Sequence, residues 1–286
     1  MNFSERIAAV FVQCCRDELE IPKPGNVHAL SVPGRKTPQD FERSAEAAAR
    51  PLTASGAPVG RRIFGAVEAS RAAVPHNTNL GIILLCAPLA AAAEQQNLDL
   101  RTALAAVLRT LDVADAELAF RAIVMATPGG LGRAQRHDVF EPAQTSLRAA
   151  MAEAADRDRV ARQYATDFED VFALGEPLLA TVLARGFEPK WATLGVFLGF
   201  LSAFCDSHIV REHGASVAEE VREAAVHLRE AFELASNPAE LVPELMAYDK
   251  VLNSRAINPG TSADLTVATL FASRLRNVLP SAPNNG

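Results

Sequence analysis

At 286 residues, with 49% of them hydrophobic and 22% charged, the chain has the composition of a folded globular protein with a substantial core. Its net charge of −6 argues against non-specific binding to nucleic acid or acidic membranes, and no basic stripe with interleaved aromatics is visible, although a local basic pocket could hold phosphates. No Ser/Gly-rich linker or charge block divides the sequence, so residues 1–280 read as one domain and 281–286 as a flexible tail.

Alanine, leucine, glutamate and arginine recur at helical spacing and no convincing period-2 strand occurs, so the expected fold is all-α, a single globular multi-helix domain. The first predicted helix, about 4–20, places Phe3, Ile7, Val10, Phe11 and Cys14 on one face. That is an amphipathic helix rather than a signal peptide, and a cytoplasmic protein is expected. The loop Lys23-Pro-Gly-Asn-Val-His28 follows, then helices over about 38–52 and 59–73. A second polar loop, His76-Asn-Thr-Asn-Leu-Gly81, leads into a helix over about 78–96, whose apolar run from Leu80 to Ala93 is too short to span a bilayer and reads as a buried core helix.

Helices over about 100–108 and 114–126 precede the loop Thr127-Pro-Gly-Gly-Leu-Gly-Arg-Ala-Gln-Arg-His-Asp-Val139. Gly129, Gly130 and Gly132 would let backbone approach a ligand closely, Arg133 and Arg136 suit anions, and Asp138 suits a metal. Neither a P-loop nor a dinucleotide fingerprint is matched, and the segment reads as a mobile loop suited to a lid. Helices over about 144–155, 164–185 and 190–206 come next. In the last, Gly195 and Gly199 stand four apart among Phe197, Phe200 and Phe204, a spacing for tight helix packing; a homodimer is compatible with it. Ser216-Val-Ala-Glu219 has the spacing of a capping box for a helix over about 217–234, and helices over about 238–254 and 262–279 complete the chain. Cys14, Cys15, Cys86 and Cys205 lie in apolar helical patterns without a C-x-x-C pair and read as free thiols.

Before the last helix stands Asn258-Pro-Gly-Thr-Ser-Ala-Asp264. Asn258, Pro259 and Gly260 form a turn, Thr261 or Ser262 supplies an N-cap hydroxyl, and Asp264 sits in the first helical turn beside unpaired backbone N–H groups. Singly, each of these loops is an ordinary turn with an ordinary cap. Their order and wording together resemble the triphosphoribosyl-dephospho-coenzyme A synthase family, from about residue 18 to residue 271. Better-known members read Asn-Thr-His-Lys-Gly where this chain has Asn77-Thr78-Asn79-Leu80-Gly81, and carry an acidic, histidine-bearing segment where it has residues 29–41. The chain is more similar to the divergent branch found in archaea and in bacteria with archaeal-type, methylotroph one-carbon cofactors.

The resemblance implies a transferase that joins the ribose of ATP to a hydroxyl of dephospho-coenzyme A and expels adenine. Displacement at the anomeric carbon passes through an oxocarbenium-like state, which calls for a base, a proton donor and nearby negative charge. Mg2+ is expected with ATP, held by one or two carboxylates. The family carries an acidic residue before its Asn-Thr motif, which selects Glu68; the catalytic candidates are thus Glu68, Asp138 and Asp264, with Glu68 and Asp264 as metal ligands and Asp206 as a further acid. For substrate and phosphate the candidates are Lys23, Gly25, Asn26, Asn77, Thr78, Asn79, Gly81, Gly130, Arg255, Asn258, Gly260 and Ser262. His28 and His76 could move protons, while His208 and His213 make only a weak zinc pair. The loss of His and Lys at positions 79 and 80 leaves other readings open: an enzyme of one-carbon (pterin or furan type) cofactor biosynthesis with another donor and acceptor, a hydrolase of a phosphorylated nucleoside, or a non-catalytic nucleotide-binding helical protein.

Overall fold

The structure, a computed structural model, describes residues 1–31 and 36–278; the expected tail at 281–286 lies outside them, as does part of the segment following His28. The described residues form fourteen α-helices and no strand, so the all-α expectation holds. In chain order these are α1 (Phe3–Glu20), α2 (Pro38–Leu52), α3 (Val59–Ala73), α4 (Leu80–Ala93), α5 (Leu100–Thr110), α6 (Val113–Ala126), α7 (Leu147–Ala154), α8 (Arg159–Ala165), α9 (Glu176–Ala184), α10 (Pro189–Ala203), α11 (Ser207–His213), α12 (Ala215–Leu234), α13 (Val242–Ser254) and α14 (Gly260–Val278).

The centre is built by α4 and α14, which pack on each other; α4 also meets α2, α3, α5 and α8, while α14 meets α1, α9, α10 and α11. Twelve of the fourteen α4 residues are buried, as expected of a helix apolar on every side. Pro88 inside α4 has no N–H to give, which frees the carbonyl of Leu84; the buried Tyr164 hydroxyl donates to it at 2.6 Å. Nearby, Arg62 is fully buried and holds the end of α2 to the end of α4 through the carbonyls of Ala57 and Leu52 and the Glu94 carboxylate.

Three helices begin with reciprocal capping boxes: Asn2 with Glu5, Thr37 with Asp40, and Asp112 with Asp115. The box read at Ser216 does not form. Helix α12 starts two residues earlier than expected, at Ala215, with Gly214 as N-cap, and Glu219 is engaged by Arg222 and Cys205 instead. The long helix expected over about 164–185 is likewise interrupted. Asp167 and Phe168 take left-handed backbone, and a π-helical turn at Asp170–Gly175, fixed by Gln163 and Arg159 on the Asp170 carboxylate, leads into α9.

Gly195 and Gly199 are spent inside the molecule. A Cβ on Gly195 would meet Val182 and Phe232, and one on Gly199 would meet Leu178, so this spacing seats α9 and α12 on α10. Among the described residues no single helix is long and apolar enough to cross a membrane. The pair α10 and α11 passes on length and composition together, but it bends by 53° and twelve of the fifteen α10 residues are core.

Candidate active site

A cleft of about 740 Å³ opens where the N-termini of α4 and α14 come together, walled by the glycine loop after α6, the faces of α7 and α8, and α11. The four loops singled out in the sequence meet here although they are up to about 230 residues apart. Asn26, Asn77, Thr78, Gly81, Gly130, Asp138, Asn258, Gly260 and Asp264 all line the cleft.

The first loop is held from behind. Asp249, buried on α13, accepts the Gly25 N–H at 2.9 Å and stands 3.5 Å from His28 Nε2, while Asn26 donates to the Asn258 side chain at 2.8 Å. Gly25 needs to be glycine: its φ is +78° and a Cβ would lie 2.7 Å from the Ile257 carbonyl oxygen. Lys23 does not reach the cleft. Its buried ammonium donates to the Glu18 carbonyl at 2.7 Å and the Val27 carbonyl at 2.9 Å and forms an ion pair with the Glu18 carboxylate at 2.9 Å, which commits it to its own loop. Burial pushes the Lys23 pKa down and that of Glu18 up, each opposed by the charge of the other.

At the second loop, Asn77 accepts from the Leu80 N–H, the Thr78 and Ser44 hydroxyls hydrogen-bond each other at 2.5 Å, and the buried Asn79 turns inward to the Phe41 carbonyl. Leu80, standing where better-known members have lysine, lines the cleft, so the missing cation is a real difference in its wall. His76 also lines it, 3.4 Å from Asp40, whose carboxyl is held down at about 2 chiefly by the Thr37 backbone amide. Gly81 faces Asp264 so closely that a Cβ would collide with the carboxylate oxygens.

Asp264 is the acid that the structure leaves uncommitted: it lines the cleft and has no hydrogen-bond or ion-pair partner among the described residues. Burial first, and then the negative charges of Asp206, Glu18 and Asp158, raise its pKa well above the carboxylate range, against the pull of Arg211. Ser262 is fully buried, both its N–H and its hydroxyl bonded to Asp206 at 2.7 and 2.8 Å, so it anchors α14. Asp138 folds the glycine loop by accepting the N–H groups of Ala134 and Phe140, and those contacts, Phe140 first, lower its pKa.

Besides Lys23, two more selected residues lie away from the cleft. Glu68 is on the exposed face of α3 and does not line the cleft, and Arg255 is on the surface, 2.9 Å from Glu220. Glu68 and Asp264 therefore do not form a joint metal site. No group of three His, Cys, Asp or Glu able to hold a metal is gathered among the described residues, and of the cleft's other carboxylates Asp158 caps α8 and meets Arg211. These residues do not fit a resident magnesium ion.

Basic side chains gather on the wall: besides Arg133 and Arg136, which the sequence reading marks for anions, Lys36, Arg71, Arg157 and Arg211 escaped it. Lys36, Arg71, Arg133, Arg136, Arg157 and Arg211 line the cleft against the carboxyls Asp138, Asp158, Glu212 and Asp264, a formal excess of two positive charges with all four carboxyls counted as ionised, in a chain of net charge −6. Arg211 donates to the Gly129 carbonyl at 2.8 Å and to Asp158 at 3.2 Å, fastening the glycine loop to α8. The available signal was local: Asp206-Ser-His-Ile-Val-Arg-Glu-His213 crowds six polar residues behind an apolar helix. Arg71 and Arg157 had none, the one an ordinary helix arginine and the other an ordinary arginine between two predicted helices. Across the cleft, Phe120, Ile123, Met151 and Val160 make an apolar wall.

The amides of Gly81, Ile82 and Thr261 begin α4 and α14 without an acceptor among the described residues, and helix N-termini of this kind attract anions. The arrangement brings basic side chains, two helix N-termini, an apolar surface and the Asp264 carboxyl into one cleft, chemistry that suits a polyanion joined to a flat apolar group.

Comparisons with known proteins show the family of the chain and its fold. The sequence profile of CitG, the ATP:dephospho-CoA triphosphoribosyl transferases, matches residues 4–282. A solved structure from Archaeoglobus fulgidus, provisionally described as a triphosphoribosyl-dephospho-coA synthase, superposes with a TM-score of 0.63 at 23% identity, covering 81% of this chain and 96% of that one; at such identity it speaks for the fold. No curated protein sequence matches the chain.

Proposed function

Because the chain belongs to the ATP:dephospho-CoA triphosphoribosyl transferase family, we propose that its cleft is where a triphosphoribosyl group passes from ATP to a hydroxyl of dephospho-CoA or a closely related cofactor precursor. The observation that carries this reading is the cationic lining, joined to two helix N-termini and a single uncommitted carboxyl, in an otherwise acidic protein. Arg71 and Arg157, with the amides of Gly81, Ile82 and Thr261, take the triphosphate. Their positive charge replaces the lysine that position 80 lacks. Adenine packs on the apolar wall of Phe120, Ile123, Met151 and Val160.

Asp264 then faces the bond that breaks. Its raised pKa keeps the proton on the carboxyl in the resting cleft, ready for a nitrogen of the departing adenine. Once the proton has moved, a carboxylate stands beside the oxocarbenium-like sugar at the moment when positive charge develops there. Gly81 permits this close approach. Magnesium enters on the triphosphate of ATP as part of the substrate, and the acceptor's hydroxyl attacks from the opposite face of the ribose.

The test is to incubate the protein with MgATP, with and without dephospho-CoA, and to follow adenine and the triphosphoribosylated product by chromatography and mass spectrometry. Adenine formed only with the acceptor supports transfer. Adenine formed equally without it means transfer to water, and ATP binding without adenine means a nucleotide-binding protein.

A further inference from the structure

Two side-chain amides meet at the head of α14. Asn26 comes from the first loop and Asn258 from the turn before the helix, 232 residues apart, and one hydrogen bond of 2.8 Å from Asn26 Nδ2 to Asn258 Oδ1 joins them. Each is fixed from behind. The Asn26 N–H donates to the Lys23 carbonyl at 3.0 Å, beside a Gly25 held by Asp249, and the Asn258 carbonyl accepts the Gly260 N–H at 2.9 Å, next to the buried Ile257. Both residues line the cleft.

A carboxamide has an oxygen that accepts and an NH2 that donates, and the bond between the two asparagines engages only half of each amide. Asn26 Oδ1 and Asn258 Nδ2 have no partner among the described residues, although Asn26 is only 8% exposed. Neither atom is sealed from solvent. Turning both amides over exchanges the two roles and still leaves one free oxygen and one free NH2. A joint needed only to tie two loops would direct its polar atoms at the loops. This one keeps an acceptor and a donor side by side at the cleft.

Phosphate oxygens only accept, so an amide oxygen cannot bond them, whereas each hydroxyl of a vicinal diol both donates and accepts. Asp264 belongs to the same end of α14, its carboxyl across from Gly81, and in the transfer reading above C1′ of the ribose comes to that carboxyl. The carbon that carries the 2′-hydroxyl is bonded to C1′. We propose that Asn26 and Asn258 together hold the 2′,3′-diol of the donor's ribose, one hydroxyl donating to the free amide oxygen and the other accepting from the free NH2; this rests on the transfer reading. The pair makes and breaks no covalent bond. It turns C1′ toward Asp264, and a hydrogen bond at the hydroxyl beside an oxocarbenium-like carbon strengthens as charge develops there. It also makes the cleft select ribonucleotides, since a donor lacking either hydroxyl leaves an amide atom unpaired against the ligand.

The test measures by calorimetry the affinities of MgATP, its 2′-deoxy and 3′-deoxy analogues and the magnesium complex of inosine triphosphate for the wild type, Asn26→Ala and Asn258→Ala, beside adenine release from MgATP with dephospho-CoA. The wild type is expected to bind each deoxy analogue about tenfold more weakly than ATP. Each variant is expected to bind ATP about tenfold more weakly than the wild type does and to lose its discrimination against one of the two deoxy analogues, with the preference for ATP over inosine triphosphate unchanged. Variants that weaken ATP and every analogue by one factor make the pair a loop joint and overturn the proposal, as does a wild type that binds the deoxy analogues as tightly as ATP. Discrimination lost against inosine triphosphate instead assigns the pair to the base and overturns it too. A wild type that binds ATP and forms no adenine overturns the transfer reading, and the affinities then decide the diol contact by themselves; one that binds no ATP overturns both.

Discussion

Asp264 holds a carboxyl whose ionisation the resting cleft opposes. Because its pKa is raised on folding, the folded protein keeps a proton that the unfolded chain releases near 3.8. The resulting cost to stability is absent below that value and grows as pH rises toward the folded pKa. Asp264→Asn removes the cost, so the variant is expected to be more stable than the wild type at neutral pH, on the order of 1 kcal/mol, and to show no gain below about pH 3.5. Urea unfolding at the two pH values checks this. Lys23 makes the opposite case. Lys23→Met strands the buried Glu18 carboxylate and is expected to cost about 3–5 kcal/mol, whereas Arg255→Ala, at an exposed pair, stays within about 0.5 kcal/mol; urea midpoints separate the two. Both residues read as phosphate ligands in the sequence, since a cation beside a Pro-Gly loop looks the same whether it faces a ligand or a neighbour. The partners of Lys23 are local, Glu18 five residues before it and Val27 four after, so a loop closing on its own lysine was within reach of the sequence.

The loops matter through the helices they start. Gly81 in the first turn of α4 and Gly260 at the head of α14 are both glycine because a side chain from the facing element, Asp264 or His208, occupies the space of a Cβ. Gly81→Ala must displace either the Asp264 carboxyl or the helix. It is expected to cost about 1–3 kcal/mol by overpacking and to reduce adenine release far more than ATP affinity, which steady-state kinetics beside calorimetry would show. Helix identity was legible: α2 and α3 lie where their apolar spacing places them, and α4 was recognisable as core from its unbroken run. The interruptions were not. The break at Asp167 and Phe168 depends on Gln163 and Arg159 engaging Asp170, and α11 separates from α10 because Asp206 turns back to cap it. Such side-chain contacts leave no periodic trace.

Over the whole molecule, charge is unevenly placed: net −6 in all, with an excess of cations around one cleft. Uniformly spread charge would repel ATP, and added salt would then strengthen binding. A cationic cleft predicts the reverse, an ATP affinity that weakens as salt rises and a shallower salt dependence in Arg71→Ala, both readable by calorimetry. The convergence of the four loops was legible only through their resemblance to a family, because nothing in their spacing says that α4 and α14 begin at one place. The arginines of α3 and of the segment before α8 reach the cleft by tertiary packing alone, so no local pattern marks them. The most direct measurement is single-turnover adenine release from MgATP with dephospho-CoA by the wild type and by Asp264→Asn, at ATP concentrations that saturate both. The account predicts acceptor-dependent adenine release by the wild type and a loss of roughly 10²- to 10⁴-fold in the variant with ATP still bound. Release by Asp264→Asn at the wild-type rate would contradict it.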